Sequence, residues 1–169
     1  MSKLKVSGIV QDSITDGPGL RFALFLQGCE HCCEGCHNPH TWDKDGGTQM
    51  TADDIFKMIT SNPLLSGVTF SGGEPFLQAQ ALIPLAKSIK NAGLELAIYT
   101  GYLFEDLFSQ NEYSAALAEL ADIIVDGPFI AAQKSLAVKF KGSHNQRIIN
   151  VPKSLSEKKT VLETDERWV

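Results

Sequence analysis

All four cysteines of this chain fall within eight residues, in the stretch Gly28-Cys29-Glu30-His31-Cys32-Cys33-Glu34-Gly35-Cys36-His37-Asn38. Thiols packed that densely limit what can surround them. Disulfide pairing fits poorly, because nothing upstream resembles a signal peptide and clustered thiols inside a cell usually bind metal. Structural zinc usually takes two ligand pairs separated by a dozen or more residues, whereas only one short loop is on offer here. Such a loop places thiolates along the edge of something larger than one ion, and an iron–sulfur cluster meets that description. Zinc binding and inert or redox-active thiols are the alternatives.

Cys32 and Cys33 are neighbours whose side chains point apart, so one of them is expected to ligate. The ligand set is then Cys29, Cys33 and Cys36, or Cys29, Cys32 and Cys36. Three thiolates on a four-iron cluster leave one iron without a protein ligand. An open coordination position marks a reactive centre, by the logic that separates catalytic from structural zinc.

With 169 residues the chain is long enough to bury one proper core. The expected domain is 1–151, followed by a polar tail, 152–169, that is loosely ordered. A net charge of −5 gives no hint of nucleic-acid or anionic-membrane binding, and no apolar run approaches the roughly 18 residues of a membrane span. Free thiols without a targeting segment point to a reducing cytoplasm.

Along the chain, 4–10 reads as a first strand, and Arg21 to Gln27 as a buried strand running straight into the cysteine loop. Thr51, with Asp54 three residues on, resembles a capping box opening a helix to about Thr60. Strands follow at 67–71, 94–99, 122–126 and 146–151. Helices fill the gaps, from Gln78 to Asn91 (kinked or re-initiated near Pro84) and from Phe104 to Leu120 with a break around Asn111. Alternating strands and helices imply an α/β fold with a mainly parallel sheet. Five or six strands are too few for a closed eight-fold barrel of about 250 residues, and an incomplete barrel leaves a lateral mouth suited to a macromolecular substrate.

Several other stretches carry polar or glycine-rich chemistry. Gly72-Gly73-Glu74-Pro75 ends a strand; it suits a tight turn, or a close backbone approach to a ligand with Glu74 as acceptor for an ammonium group. Asp126 sits at a strand's carboxyl end, the side where α/β proteins keep their chemistry, and also suits a capping carboxylate. Asp16 to Gly19 is a turn on composition. The segment 142–147 reads as a solvated loop, and His31, His40 and His144 as ordinary surface histidines.

The spacing Cys29-x3-Cys33-x2-Cys36 resembles the signature of the radical S-adenosylmethionine (SAM) superfamily. Gly35 stands where that superfamily usually carries an aromatic residue, and His37 is the nearest ring. The flanks Asp16-Gly-Pro-Gly-Leu-Arg21 and Gly35-Cys-His-Asn-Pro39 look like the activating enzymes of glycyl-radical proteins, those of anaerobic ribonucleotide reductase in particular. The resemblance runs from about Gly8 to Val151. It implies a partial, open β/α barrel of the radical SAM type, with a 4Fe-4S cluster on Cys29, Cys33 and Cys36. SAM would chelate the open iron, with contacts from Gly35, Cys36, His37, Gly72, Gly73, Glu74, Thr100 and Asp126. The implied activity is reductive cleavage of SAM to place a radical on a backbone glycine of a large anaerobic ribonucleotide reductase. Asp16, Gly17, Pro18 and Gly19 would contact that partner, and a flavodoxin or ferredoxin would supply the electron. The rival expectations are an activase of the pyruvate formate-lyase type and a non-catalytic zinc or iron–sulfur module.

Overall fold

The computed structural model of the protein describes residues 3–169. Seven strands form one sheet: β1 (Lys3–Ser13), β2 (Arg21–Leu26), β3 (Thr48–Thr51), β4 (Gly67–Gly72), β5 (Glu95–Tyr99), β6 (Ile123–Asp126) and β7 (Arg147–Asn150), in the order β3-β1-β2-β4-β5-β6-β7. The central four strands, β2-β4-β5-β6, are parallel. Antiparallel strands flank them, β1 and β3 on one side and β7 on the other. The sheet is mixed and open: β3 and β7 lie at its two ends.

Parallel strands are buried on both faces, and the alternation of side chains decides which residue goes where. Leu96, Ile98, Ile124 and Ile149 enter one core with Phe22, Leu24, Leu26, Val68 and Phe70. Ala97, Ile123, Val125 and Ile148 point to the opposite face, with Trp168 and the flanking Tyr99 and Phe140. Helices α1 (Ala52–Thr60), α2 (Ala79–Asn91), α3 (Phe104–Gln110) and α4 (Glu112–Leu120) contribute Ile55, Ile59, Leu82, Leu85, Ile89, Leu107 and Leu117 to the first core. The second face has no such layer; the C-terminal residues and the loop from 127 to 146 cover it, and the functional cleft opens there.

Local chemistry sets the helix ends. Thr51 accepts the Asp54 N–H and starts α1, whose buried Ala52, Ile55 and Ile59 share one face. Asn111 is fully extended and caps α4 by accepting the Ser114 N–H, which separates α3 from α4. Of the kink or re-initiation expected at Pro84, the re-initiation does not occur: the helix runs from Ala79 to Asn91 with Pro84 inside it, after a 3-10 turn at Pro75–Gln78. Strand β3 was not expected at all. Its sequence, Thr-Gln-Met-Thr, has no apolar alternation, and it exists because β1 offers an edge, pairing Lys3 with Thr51 and Val6 with Thr48.

The largest departure is the C-terminus. Residues 152–169, expected to be a loosely ordered tail, are packed. Helix α5 (Val151–Glu157) is capped by Asn150 and ends at left-handed Lys158. The chain then returns along the free side of β7, where the Asn150 N–H bonds Val161 and the Glu163 N–H bonds Ile148. Trp168 is fully buried; its ring lies 5.4 Å from the guanidinium of Arg21, and Phe140 packs edge-on at 5.5 Å. A polar segment hides such an anchor because one apolar residue sets no periodicity.

Candidate metal centre

The carboxyl ends of β2, β4, β5 and β6 lie along one edge of the sheet, and each runs into a loop singled out above. Leu26 is opposite Gly72, Phe70 opposite Ile98, and Tyr99 opposite Val125. A cleft of about 320 Å³ opens where these loops meet. Asp16, Cys29, Cys33, Cys36, His37, Gly72, Gly73 and Thr100 all line it.

Backbone bonds fasten the cysteine loop at both ends. Gly28, at φ 102, donates to Thr41, Cys29 donates to Trp42, and the Gln27 side chain donates to the carbonyls of His40 and Asp43. Within the loop the Cys36 N–H bonds the Cys33 carbonyl around left-handed Gly35, and the Asn38 N–H points at Cys36 Sγ, 3.4 Å away. Cys32 takes a left-handed backbone (φ 50), is exposed, and is not part of the cleft wall. That turn in the chain sends two neighbouring thiols in different directions.

Cys29, Cys33 and Cys36 are half-buried and suit a cationic group larger than an ion. Burial pushes the Cys29 thiol up to about 11, and the nearby Glu74, Cys33 and Cys36 push the same way. A positively charged iron group would relieve that crowding. Among the described residues, no three His, Cys, Asp or Glu side chains converge as they would around a single ion. Trp42, also in the wall, has its indole N–H buried without a partner, a donor left over for an acceptor in the cleft.

Gly72 and Gly73 lie against the cysteine loop. Gly72 sits at φ 78, and a Cβ there would meet Phe25 Cα at 2.7 Å; a Cβ on Gly73 would meet the Gly28 carbonyl oxygen at 2.3 Å. The Gly73 N–H bonds Leu26 and the Glu74 N–H bonds Gly28. These glycines therefore let β4 close on the residue preceding Cys29, besides lining the cleft.

Glu74 does not line it. Its carboxylate, almost fully buried, accepts from Thr100 Oγ1 (2.8 Å), the Gly101 N–H (2.9 Å), the Phe76 N–H (3.2 Å) and His31 Nε2 (2.6 Å). A buried carboxylate demands such partners, and here they leave no obvious vacancy for an ammonium group. Asp126 is likewise absent from the wall. Its oxygens accept from the Phe104 N–H at the start of α3 and from Arg147 Nε and Nη2, while Gly127 beside it reaches the cleft. Both carboxylates, expected as ligand contacts, fasten loops at the edge of the cleft.

On the opposite wall, Phe129 packs 3.3 Å from where a Gly35 Cβ would stand and pairs with the His37 ring at 5.2 Å. Gly35 thus leaves room for a ring supplied by the β6–β7 loop. Gly142 and Gln146 also line the cleft, with Gln146 Oε1 accepting the Gly142 N–H and its Nε2 donating to Gly127. In the Asp16–Gly19 turn only Asp16 reaches the cleft. Gly17 packs on Arg21 and Trp168, Gly19 on Ser66, and the Pro18 carbonyl accepts from Arg21. Sequence reasoning missed Trp42, Phe129 and His31; His31 lay inside the cysteine loop, which was the available signal. No helix among the described residues is long and apolar enough to cross a membrane.

A protein-family model described as a 4Fe-4S single cluster domain matches residues 15–149. The chain belongs to this family. It is similar to the anaerobic ribonucleoside-triphosphate reductase-activating protein of Haemophilus influenzae, 31% identical over 145 residues that cover 80% of this chain and 90% of that protein. The protein of the same name from Vibrio cholerae is 33% identical over 143 residues, again 80% and 90% of the two chains. The pyruvate formate-lyase-activating enzyme of Clostridium pasteurianum is 41% identical over 104 residues, 58% of this chain but only 44% of the enzyme. Among solved structures, QueE from Escherichia coli aligns with a TM-score of 0.49 at 19% identity, covering 59% of this chain and 52% of that one.

Proposed function

We propose that this protein activates an anaerobic ribonucleoside-triphosphate reductase by reductive cleavage of SAM at a 4Fe-4S cluster. The observation that carries this is the cleft: Cys29, Cys33 and Cys36, but not Cys32, line it, facing the glycine-rich ends of β4 and β5. In this reading those three thiols hold the cluster and the open sheet is a partial radical SAM barrel. The bound cluster and SAM supply the one-electron chemistry that ends in removal of a hydrogen atom from a glycine of the partner.

The chain's own residues bind, orient and exclude water. Gly72, Gly73 and Thr100 form the floor for SAM, Phe129 and His37 offer rings for the adenine, and Gly35 and Cys36 give a close backbone approach. Glu74 and Asp126 act one step removed, each fixing the loop that carries such contacts. Asp16, at the rim, faces the incoming glycine segment of the partner, with Gly17, Pro18 and Gly19 holding it there.

The reductase is favoured as partner because two relatives named for it are matched over 90% of their length. A low-potential flavodoxin or ferredoxin as electron donor, and a cytoplasmic setting, follow from the same chemistry. The test mixes reduced protein, SAM and purified reductase under anaerobic conditions and reads the glycyl-radical EPR doublet. A doublet on the reductase is expected; a doublet on pyruvate formate-lyase alone would overturn the choice of partner and leave the reaction class standing.

A further inference from the structure

We infer that His31 is a positioning residue that clamps the cysteine loop to the SAM side of the cleft through Glu74. The inference rests on the proposed cluster and SAM reading. His31 sits between Cys29 and Cys33, yet it is not a surface histidine: 17% of its side chain is exposed. Its Nε2 donates to Glu74 Oε2 at 2.6 Å, the oxygen that also accepts the Gly101 N–H. Its ring meets Tyr102 edge-on at 4.5 Å. A Cβ on Gly101 would come within 2.5 Å of the His31 ring, so glycine there leaves the ring its seat.

Three chain segments therefore meet on one buried carboxylate: the cysteine loop, the turn after β4, and the end of β5. At its base Gly28 and Cys29 bond Thr41 and Trp42, the exposed Glu30 pairs with Lys44, and Phe129 packs on Gly35 and His37. Between the first two cleft thiols, His31 is the side chain that ties the loop's arch to the buried carboxylate following β4. Its partner Glu74 accepts from Thr100, which lines the cleft. Cluster ligands and the SAM floor are thus held in one frame, and the orientation of one toward the other depends on this imidazole.

The experiment compares His31→Ala, His31→Gln and Gly101→Ala with the parent in the full chain. Hydrogen exchange is measured on the metal-free protein, and EPR of the reduced cluster, with and without SAM, after anaerobic reconstitution. In His31→Ala, amides of residues 29–36 should exchange roughly ten-fold faster while those of β4 and β5 stay unchanged. The cluster should still form, but the change that SAM produces in its EPR signal should be lost or need a higher SAM concentration. Gln, whose amide nitrogen reaches a similar position, should restore both readouts. Gly101→Ala, which displaces the ring without removing it, should reproduce the alanine variant's loss. Unchanged exchange and an unchanged SAM response in His31→Ala would overturn the inference, as would a folded His31→Gln that restores neither. If the parent itself shows no SAM response, the functional reading fails, while the exchange data still decide whether His31 clamps the loop.

Discussion

The two walls of the cleft are held by the same device applied to different ends. On the near wall, buried Glu74 gathers donors from the cysteine loop and from β5. On the far wall, buried Asp126 gathers the start of α3 and Arg147, which also makes a bidentate contact with Glu105. One carboxylate is wired to the thiols and the other to the outer layer of the fold. Damage to the near wall should therefore appear first in metal and SAM chemistry, and damage to the far wall first in stability.

The largest expected effect tests where the near wall begins. Alanine at Cys29, Cys33 or Cys36 should reduce iron after anaerobic reconstitution to background, whereas Cys32→Ala should retain iron and SAM cleavage. Loss of iron in Cys32→Ala with retention in Cys33→Ala would exchange the two thiols' roles.

Next come the paired glycines. Gly73→Ala puts a methyl group into the Gly28 carbonyl and should displace Cys29, lowering iron content together with SAM cleavage. The matching far-wall change, Gly127→Ala, meets nothing nearer than 3.7 Å but strains a backbone at φ 97. It should cost about 1 kcal/mol and leave iron content intact. Equal iron loss in both would erase the distinction between the walls.

How much of this was legible in the sequence follows from what each feature depends on. Cysteine spacing, glycine pairs and apolar strands are local, so the loop, the turn after β4 and the parallel centre could be read directly. Strand β3 has no pattern of its own and forms only because β1 presents an edge. Phe129 reaches Gly35 across ninety-odd residues of chain, a proximity that no spacing encodes. Glu74 and Asp126 were found as strand-end carboxylates, but their partners come from four other segments, so their direction was invisible. The sequence marked which residues matter near the cleft better than it marked which way they point.

A middle-sized effect separates the carboxylates themselves. Asp126→Asn weakens the bonds to Arg147 and to the Phe104 N–H, at a cost of about 2 kcal/mol. The melting temperature should fall by about 4–8 °C for a chain of this size, with SAM cleavage per folded molecule retained. Glu74→Gln keeps the shape but cannot accept from all four donors; it should depress SAM cleavage more than its own melting temperature predicts.

The smallest effect lies farthest out. Arg147 holds the Glu105 carboxyl down to about 2, with help from Thr160. A depressed carboxyl contributes stability above its ordinary value near 4.5, and that contribution is lost as pH falls toward 2. Glu105 is half exposed, so solvent screening leaves about 0.5 kcal/mol. The stability gap between parent and Glu105→Gln should be open at pH 7 and close by pH 2 in denaturant titrations.

Trp168 gives the molecule an order of assembly. The cysteine loop leaves the ribosome early, while the indole that closes the sheet's second face arrives only after the loop from 127 to 146 and helix α5 have been made. Domains fold as units, so the second face is covered only once the residues that carry Trp168 are in place. One indole, seated on Arg21 of β2, thus ties the C-terminal residues to the strand that leads into the cysteine loop.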